Sequence, residues 1–142
     1  MYRRRVANQA LVESVKDIVA ASKAGDAEAA YRGYRDLFGS DAFASYRVED
    51  QRQALRLMVL AKGVVAKPTP AMSEAYQCAV TCLTRLLPLA EAADHELLGV
   101  CQVMLGDEAS ASETFRAGLA IERQRDPQSK LCGALMKRLS MV

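Results

Sequence analysis

Apolar positions along this chain recur at three- and four-residue intervals, the spacing of amphipathic helices, and Gly, Pro and Asp punctuate them. Leu11, Val12, Val15, Ile18 and Val19 form one stripe and predict a first helix over about residues 8–23. A second runs from Ala27 to Phe38 and stops at Phe38-Gly39-Ser40. The stretch from Asp41 to Tyr46 is short and mixed, and reads as a single helical turn. Leu55, Met58 and Val59, with Ala54, Ala61 and Val65 more weakly, predict a long helix from Glu49 to Ala66 that Pro68 and Pro70 stop. Lys67 to Ser73 should be an exposed elbow. Ser73 to Leu87 gives a fourth long helix, with Ala75, Ala79 and Cys82 at small-residue packing positions and Pro88 at its end. Leu89 to Leu105 and Asp107 to Arg123 predict two more. Asp126-Pro127 then reads as a capping residue and a Pro at the first helical position, opening a last helix with Leu131, Leu135, Met136 and Leu139 on its apolar face.

Two of these stretches share one pattern. Gly25-Asp26, Ala30 and Tyr34 have the spacing of Gly106-Asp107, Ala111 and Phe115, and each set follows one helical pattern and precedes another. Gly can take the left-handed conformation that ends a helix, and Asp can cap the next. In the second set Gly99 and Ala111 let two helix axes approach, with Phe115 filling the groove between them. Gly25 and Gly106 are therefore expected at equivalent helix–helix turns.

Leu98-Gly99, Gly106-Asp107, Ala111 and Phe115 resemble the tetratricopeptide repeat signature, a Leu-Gly pair followed by a small residue and then an aromatic. His95 stands where that family favours Trp, Gln102 where it favours Tyr and Gly118 where it favours Ala; Pro127 comes late. In the first copy Asp17 and Ile18 replace the Leu-Gly pair, and the middle repeat is degenerate. The resemblance implies an all-α fold, a right-handed α-α superhelix of about three antiparallel helix pairs (8–38, 49–87 and 89–123) plus a C-terminal capping helix (127–140). It implies a scaffold that binds proteins and no reaction.

Composition narrows the alternatives. A chain of 142 residues, 51% hydrophobic and 6% aromatic with no Trp, is expected to form one domain of helices packed through Ala, Leu and Val. Its 19 basic and 17 acidic residues leave a net charge of +2, too balanced to suggest nucleic acid or an anionic membrane surface as partner. No run approaches membrane-spanning length, and the basic start MYRRRVANQA lacks the apolar region of a secretory signal. Arg3-Arg4-Arg5 reads as a solvated end. The four cysteines lie within helical patterns, as expected of a reduced, cytoplasmic protein.

Candidate chemistry is sparse. His95 is the single histidine, and its neighbours Asp94 and Glu96 point elsewhere on a helix. Cys78 and Cys82 share a helix face and could join Cys101 as ligands, but their spacing is not that of a zinc knuckle, and small buried cysteines explain them better. Acidic pairs such as Glu49-Asp50 sit at helix starts, where the macrodipole accounts for them. No phosphate loop, nucleophile elbow or metalloprotease motif occurs in the sequence. The expectation is no catalytic residue, no metal, no cofactor and no enzyme.

Carrying the family's groove positions onto this chain gives Val12, Val15 and Val19 in the first repeat, Arg52, Leu55, Val59 and Lys62 in the middle one, and Glu96, Val100 and Val103 in the last. Members that clamp a peptide carboxylate use Lys and Asn there; Val and Glu suit an amphipathic helix or apolar segment of a partner protein, oriented by Arg52, Lys62 and Glu96. The alternative is that the valines pack against the chain's own helices, with a terminal helix folded into the groove. A secretion or assembly chaperone, and a small helical enzyme or ligand sensor, are the other functional classes considered. Apolar repeat ends would equally suit a homodimer.

Overall fold

The computed structural model describes the backbone of residues 2–61 and 68–142 and, within them, the side chains of all but residues 2–8 and 89. Among the described residues there are eight α-helices and no strand, so the fold is all-α. The chain divides into two compact units, Met1–Ala79 and Val80–Val142. The first contains α1 (Tyr2–Lys23), α2 (Ala27–Phe38), α3 (Asp41–Ser45) and α4 (Val48–Val59). The division falls within α5 (Pro70–Arg85). After a 3-10 turn at Leu87–Leu89, the second unit continues with α6 (Ala92–Met104), α7 (Glu108–Arg125) and α8 (Lys130–Ser140).

The turns that join α1 to α2 and α6 to α7 have the same geometry. Gly25 and Gly106 are the residues with positive φ, at 83° and 82°, among the described residues. Each is followed by an Asp at φ −97°, with ψ 74° for Asp26 and 71° for Asp107. Asp26 donates its backbone N–H to Ala21 O at 3.0 Å and Gly25 donates to Ser22 O at 3.1 Å; Asp107 and Gly106 do the same to Gln102 O and Val103 O at 2.8 and 3.0 Å. That pair of bonds closes a helix around a left-handed residue. The same aspartates open the next helix, Asp26 accepting from Ala29 N at 3.0 Å and Asp107 from Ser110 N at 3.2 Å.

Behind the turns, each hairpin is filled from opposite sides. On α6, Gly99 leaves room for the Phe115 ring: a Cβ there would lie 2.3 Å from Phe115 Cε1. In the first hairpin the bulk comes from α1, where Ile18 fills the space above Gly33, whose Cβ would lie 2.6 Å from Ile18 Cγ1. Ala30 and Tyr34, like Ala111 and Phe115, are buried.

A run of aromatic contacts in chain order links α2, α3 and the entry to α4 in unit one. Tyr34 and Phe38 stack at 5.6 Å between centroids, Phe38 meets Phe43 edge-on at 5.1 Å, and Phe43 meets Tyr46 at 6.0 Å. Phe43 is fully buried, which is what holds the five-residue α3 in place. Ser40 caps it, accepting from Phe43 N and donating to Leu37 O. Gln51, also buried, donates from Nε2 to Tyr46 O at 2.8 Å and so secures the entry to α4.

The first helix, expected from about residue 8, begins at Tyr2; three further expected boundaries differ, each for a local reason. The helix expected over 49–66 is described over Val48–Val59 and closes with Leu60 N donating to Arg56 O and Ala61 N to Met58 O; Ala61, expected inward, is exposed, and Val65 lies outside the described residues. Pro70, expected to stop a helix, starts α5 instead, because Thr69 caps it: Thr69 Oγ1 accepts from Met72 N and donates to Glu28 Oε1 at 2.6 Å. Ala75, Ala79 and Cys82 on α5 are fully buried, as their small size suggests. Asp126-Pro127 does not open the last helix. It makes a turn in which Ser129 N donates to Asp126 O at 3.2 Å, and Ser129 caps α8.

Two buried carboxylates of unit two are paired with arginines. Glu96 on α6 accepts from Arg138 Nε on α8 at 2.8 Å. Glu122, 2% exposed near the end of α7, accepts from both Arg125 Nε and Nη2. Hydrogen bonds from Arg125 hold the Glu122 carboxyl below its ordinary value against the upward push of burial, with a further bond from Ser129 helping. The α7–α8 turn is thereby fastened from within.

Two predictions follow from this geometry. A Cβ at Gly25 or Gly106 meets nothing within 4 Å, so Gly25→Ala and Gly106→Ala act through backbone conformation alone. Each is expected to cost about 1–2 kcal/mol in denaturant unfolding, with the costs additive in the double variant; a loss at one glycine and none at the other would break their equivalence. Because the folded-state value of Glu122 is lowered, its pairing contributes stability above the ordinary carboxylate range, about pH 4.3, and loses it as pH falls through the lowered value. Glu122→Gln should therefore be less stable than wild type near neutrality and show a shallower fall on acidification, measured as unfolding midpoints against pH.

Candidate functional site

The single apolar stripe of α1 is used twice. Ile18 is buried towards α2, whereas Leu11, Val12, Val15 and Val19 line a groove of about 550 Å³. Ala54 and Leu57 on α4 form the opposite wall. A groove of this size lies within the range of clefts that receive ligands or partner side chains, about 300–1,000 Å³. Val12 and Leu57 are 47% and 48% exposed, so the apolar surface is open. A second hollow, lined by Arg56, Leu60 and Ala61, shares Gln53 and Leu57 with the first and continues it along α4.

The polar rim is uneven. Lys16 and Lys23 stand exposed on the α1 side; on the α4 side Gln53 is exposed and Asp50 half-buried. Asp50 Oδ2 is buried and has no hydrogen-bond partner among the described residues. A carboxylate oxygen in that position costs free energy until a donor meets it.

The expected groove residues divide sharply between the units. Val12, Val15 and Val19 come together in the lining of the groove. Leu55 and Val59 do not: both are buried in the core of unit one, and Arg52 is half-buried away from the lining. The α4 wall is made by Asp50, Ala54 and Leu57, a face rotated from the expected one by about 165° at about 100° per residue, close to the opposite side of the helix. Lys62 lies outside the described residues. In unit two, Glu96 is engaged by Arg138, and Val100 packs with Leu131 and Leu139 of α8 against the cluster around Phe115 and Leu135. The terminal helix thus occupies that stripe, and Val103 alone of the three is exposed, at 36%.

Asp50 and Leu57 went unread as site residues. Asp50 was explained by the helix dipole. Leu57 carried a usable signal: an apolar residue on α4 out of phase with the Ala54, Leu55, Met58 and Val59 core stripe.

The other chemical candidates take structural places. His95 is half-buried with Nδ1 3.0 Å from Glu91 O, and its Cβ sits where a Cβ on Gly118 would come within 2.7 Å, which accounts for glycine at that position. Asp94 is buried at the start of α6, where it accepts from Glu91 N at 3.0 Å. All four cysteines are free thiols. Among the described residues no three His, Cys, Asp or Glu side chains gather as a metal-holding group, and no helix is long and apolar enough to cross a membrane.

No family model, curated protein or solved structure matches this chain.

The thiols differ enough in setting to test the packing directly. Cys82, Cys101 and Cys132 are buried, and burial pushes the Cys101 thiol up to about 12; Cys78 is half-buried and raised for the same reason. Since the thiolate is the reactive form, Cys78 should be the first to react with an aqueous disulfide reagent in the native protein. Cys78→Ser should remove that phase, leaving the other three silent until denaturant is added. Rapid native labelling of Cys101 would contradict the packing of α6.

Proposed function

We propose that this protein is a non-catalytic interaction scaffold of the tetratricopeptide type, a right-handed superhelix of about three helix pairs closed by a capping helix, which holds a segment of a partner protein in the α1/α4 groove. The observation that carries this reading is the convergence of Val12, Val15 and Val19 with Leu57 on one open groove. The matching Gly-Asp turns at Gly25 and Gly106 support the repeat part of it. Open apolar surface rimmed by charge is a recurrent feature of protein-binding sites, and here it is offered by rigid helices that need no reordering to receive a partner.

The α1/α4 groove is preferred over the α6 stripe as the binding surface. Glu96 and Val100 already have partners on α8, and exposing them would break the Arg138 contact. Nothing comparable has to be given up in unit one.

Val12 and Leu57 are half-exposed, so replacing them should leave the fold intact. Val12→Glu and Leu57→Glu should each weaken capture of the protein's partner from native extract by at least about 2 kcal/mol, roughly 30-fold, if they act as groove anchors. Helical circular dichroism should match wild type. Capture that survives both substitutions would remove the groove from the mechanism.

A further inference from the structure

The two hairpins allow the occupant of the open groove to be specified. Val15 and Val19 stand at the same offsets before Gly25 as Glu96 and Val100 before Gly106, and the turns they precede share their dihedral angles and hydrogen bonds. The stripe on α6 is covered by the chain's own α8. That helix brings Leu131, Leu135 and Leu139 at four-residue spacing and places Arg138, next to Leu139, against the Glu96 carboxylate at 2.8 Å. It shows what fits such a stripe in this protein: a short amphipathic helix with a cation beside its apolar row.

The stripe on α1 offers the same two chemistries from two walls. Its apolar part is Val12, Val15 and Val19, and the carboxylate comes from Asp50, a half-buried residue of the α4 wall that lines the groove. Resting on the groove reading above, we propose that the occupant is an amphipathic helix of a partner protein that carries an arginine or lysine beside its apolar row, the cation pairing with Asp50. Charge-assisted bonds to a shielded carboxylate are about twice as strong as neutral ones, so this contact selects among helices that are equally apolar. Lys16 and Lys23 on the α1 rim favour acidic residues on the flank facing α1. The two rims together set the direction in which the helix lies.

The test uses the full chain and two fluorescent helical peptides that copy the α8 spacing, Leu at i, i+4 and i+8 with Arg at i+7; the second carries citrulline, the neutral isostere, in place of Arg. Anisotropy titrations should show the citrulline peptide binding wild type about tenfold more weakly, a gap that narrows to about twofold or less in Asp50→Asn and with added salt. Leu57→Glu should abolish binding of both. Glu96→Gln, which alters the α6 stripe, should change neither. Equal binding of the two peptides to wild type, lost in Leu57→Glu, would overturn the pairing with Asp50 and leave the groove reading standing. Binding that is insensitive to Leu57→Glu, or no binding of either peptide, would overturn both.

Discussion

A chain can reverse between two helices in two residues only if one of them accepts a left-handed backbone and the other both finishes the first helix and starts the second. Gly25-Asp26 and Gly106-Asp107 meet that condition with nearly identical angles. Each aspartate gives its N–H to the outgoing helix and its carboxylate to the incoming one, so two sets of unpaired backbone groups are satisfied at a single residue. The turn also fixes rotation. With the start of the second helix set by its cap, Ala30 and Tyr34, and Ala111 and Phe115, are bound to face the first helix, and every later assignment of inside and outside follows from that phase.

Within this frame the packing is adjustable. Gly99 on α6 makes room for Phe115 and Gly33 on α2 makes room for Ile18, so the small residue of the close contact lies on the first helix of one hairpin and the second helix of the other. Close-packed interiors tolerate such exchange when total volume is kept. The departures of the first hairpin from the repeat signature, Asp17 and Ile18 in place of Leu-Gly, are thus compensated across the interface and do not loosen it. Similarly, Gln102, standing where the family has an aromatic, accepts a 2.7 Å hydrogen bond from Thr114 on the facing helix.

What the sequence revealed and what it concealed follow the same division. Helix interiors, the Gly-Asp turns, the small residues of α5 and the α1 stripe were legible because each depends on local periodicity or on one residue's backbone preference. Helix ends were less so: Thr69-Pro70 and Asp126-Pro127 look alike on paper, yet the first begins a helix and the second makes a turn before Ser129 takes over the cap. Buried polar groups were the least legible. Gln51, Asp94, Glu96 and Glu122 are buried because partners elsewhere in the chain receive them, and a hydrophobicity pattern contains no record of a partner. The α4 wall was partly hidden in the same way: phase sets Leu57 apart from the Leu55 core stripe, but only the packing shows that it faces a groove.

Whether a stripe becomes interior or surface therefore depends on the helix laid across it as well as on the stripe. On α6 the stripe includes a carboxylate, and an apolar helix alone could not have covered it, since Glu96 would have lost its water and gained nothing. Arg138 makes closure feasible, and the leucines of α8 supply the driving force. On α1 the corresponding position is Val15, so the stripe itself needs no charge partner. The carboxylate of this groove is Asp50 on the facing helix, and the cations in its lining are Lys16 and Lys23 of the α1 rim, with Arg56 of α4 in the hollow that continues it. The apolar surface between α1 and α4 thus stays open, whereas its counterpart in unit two is covered by α8.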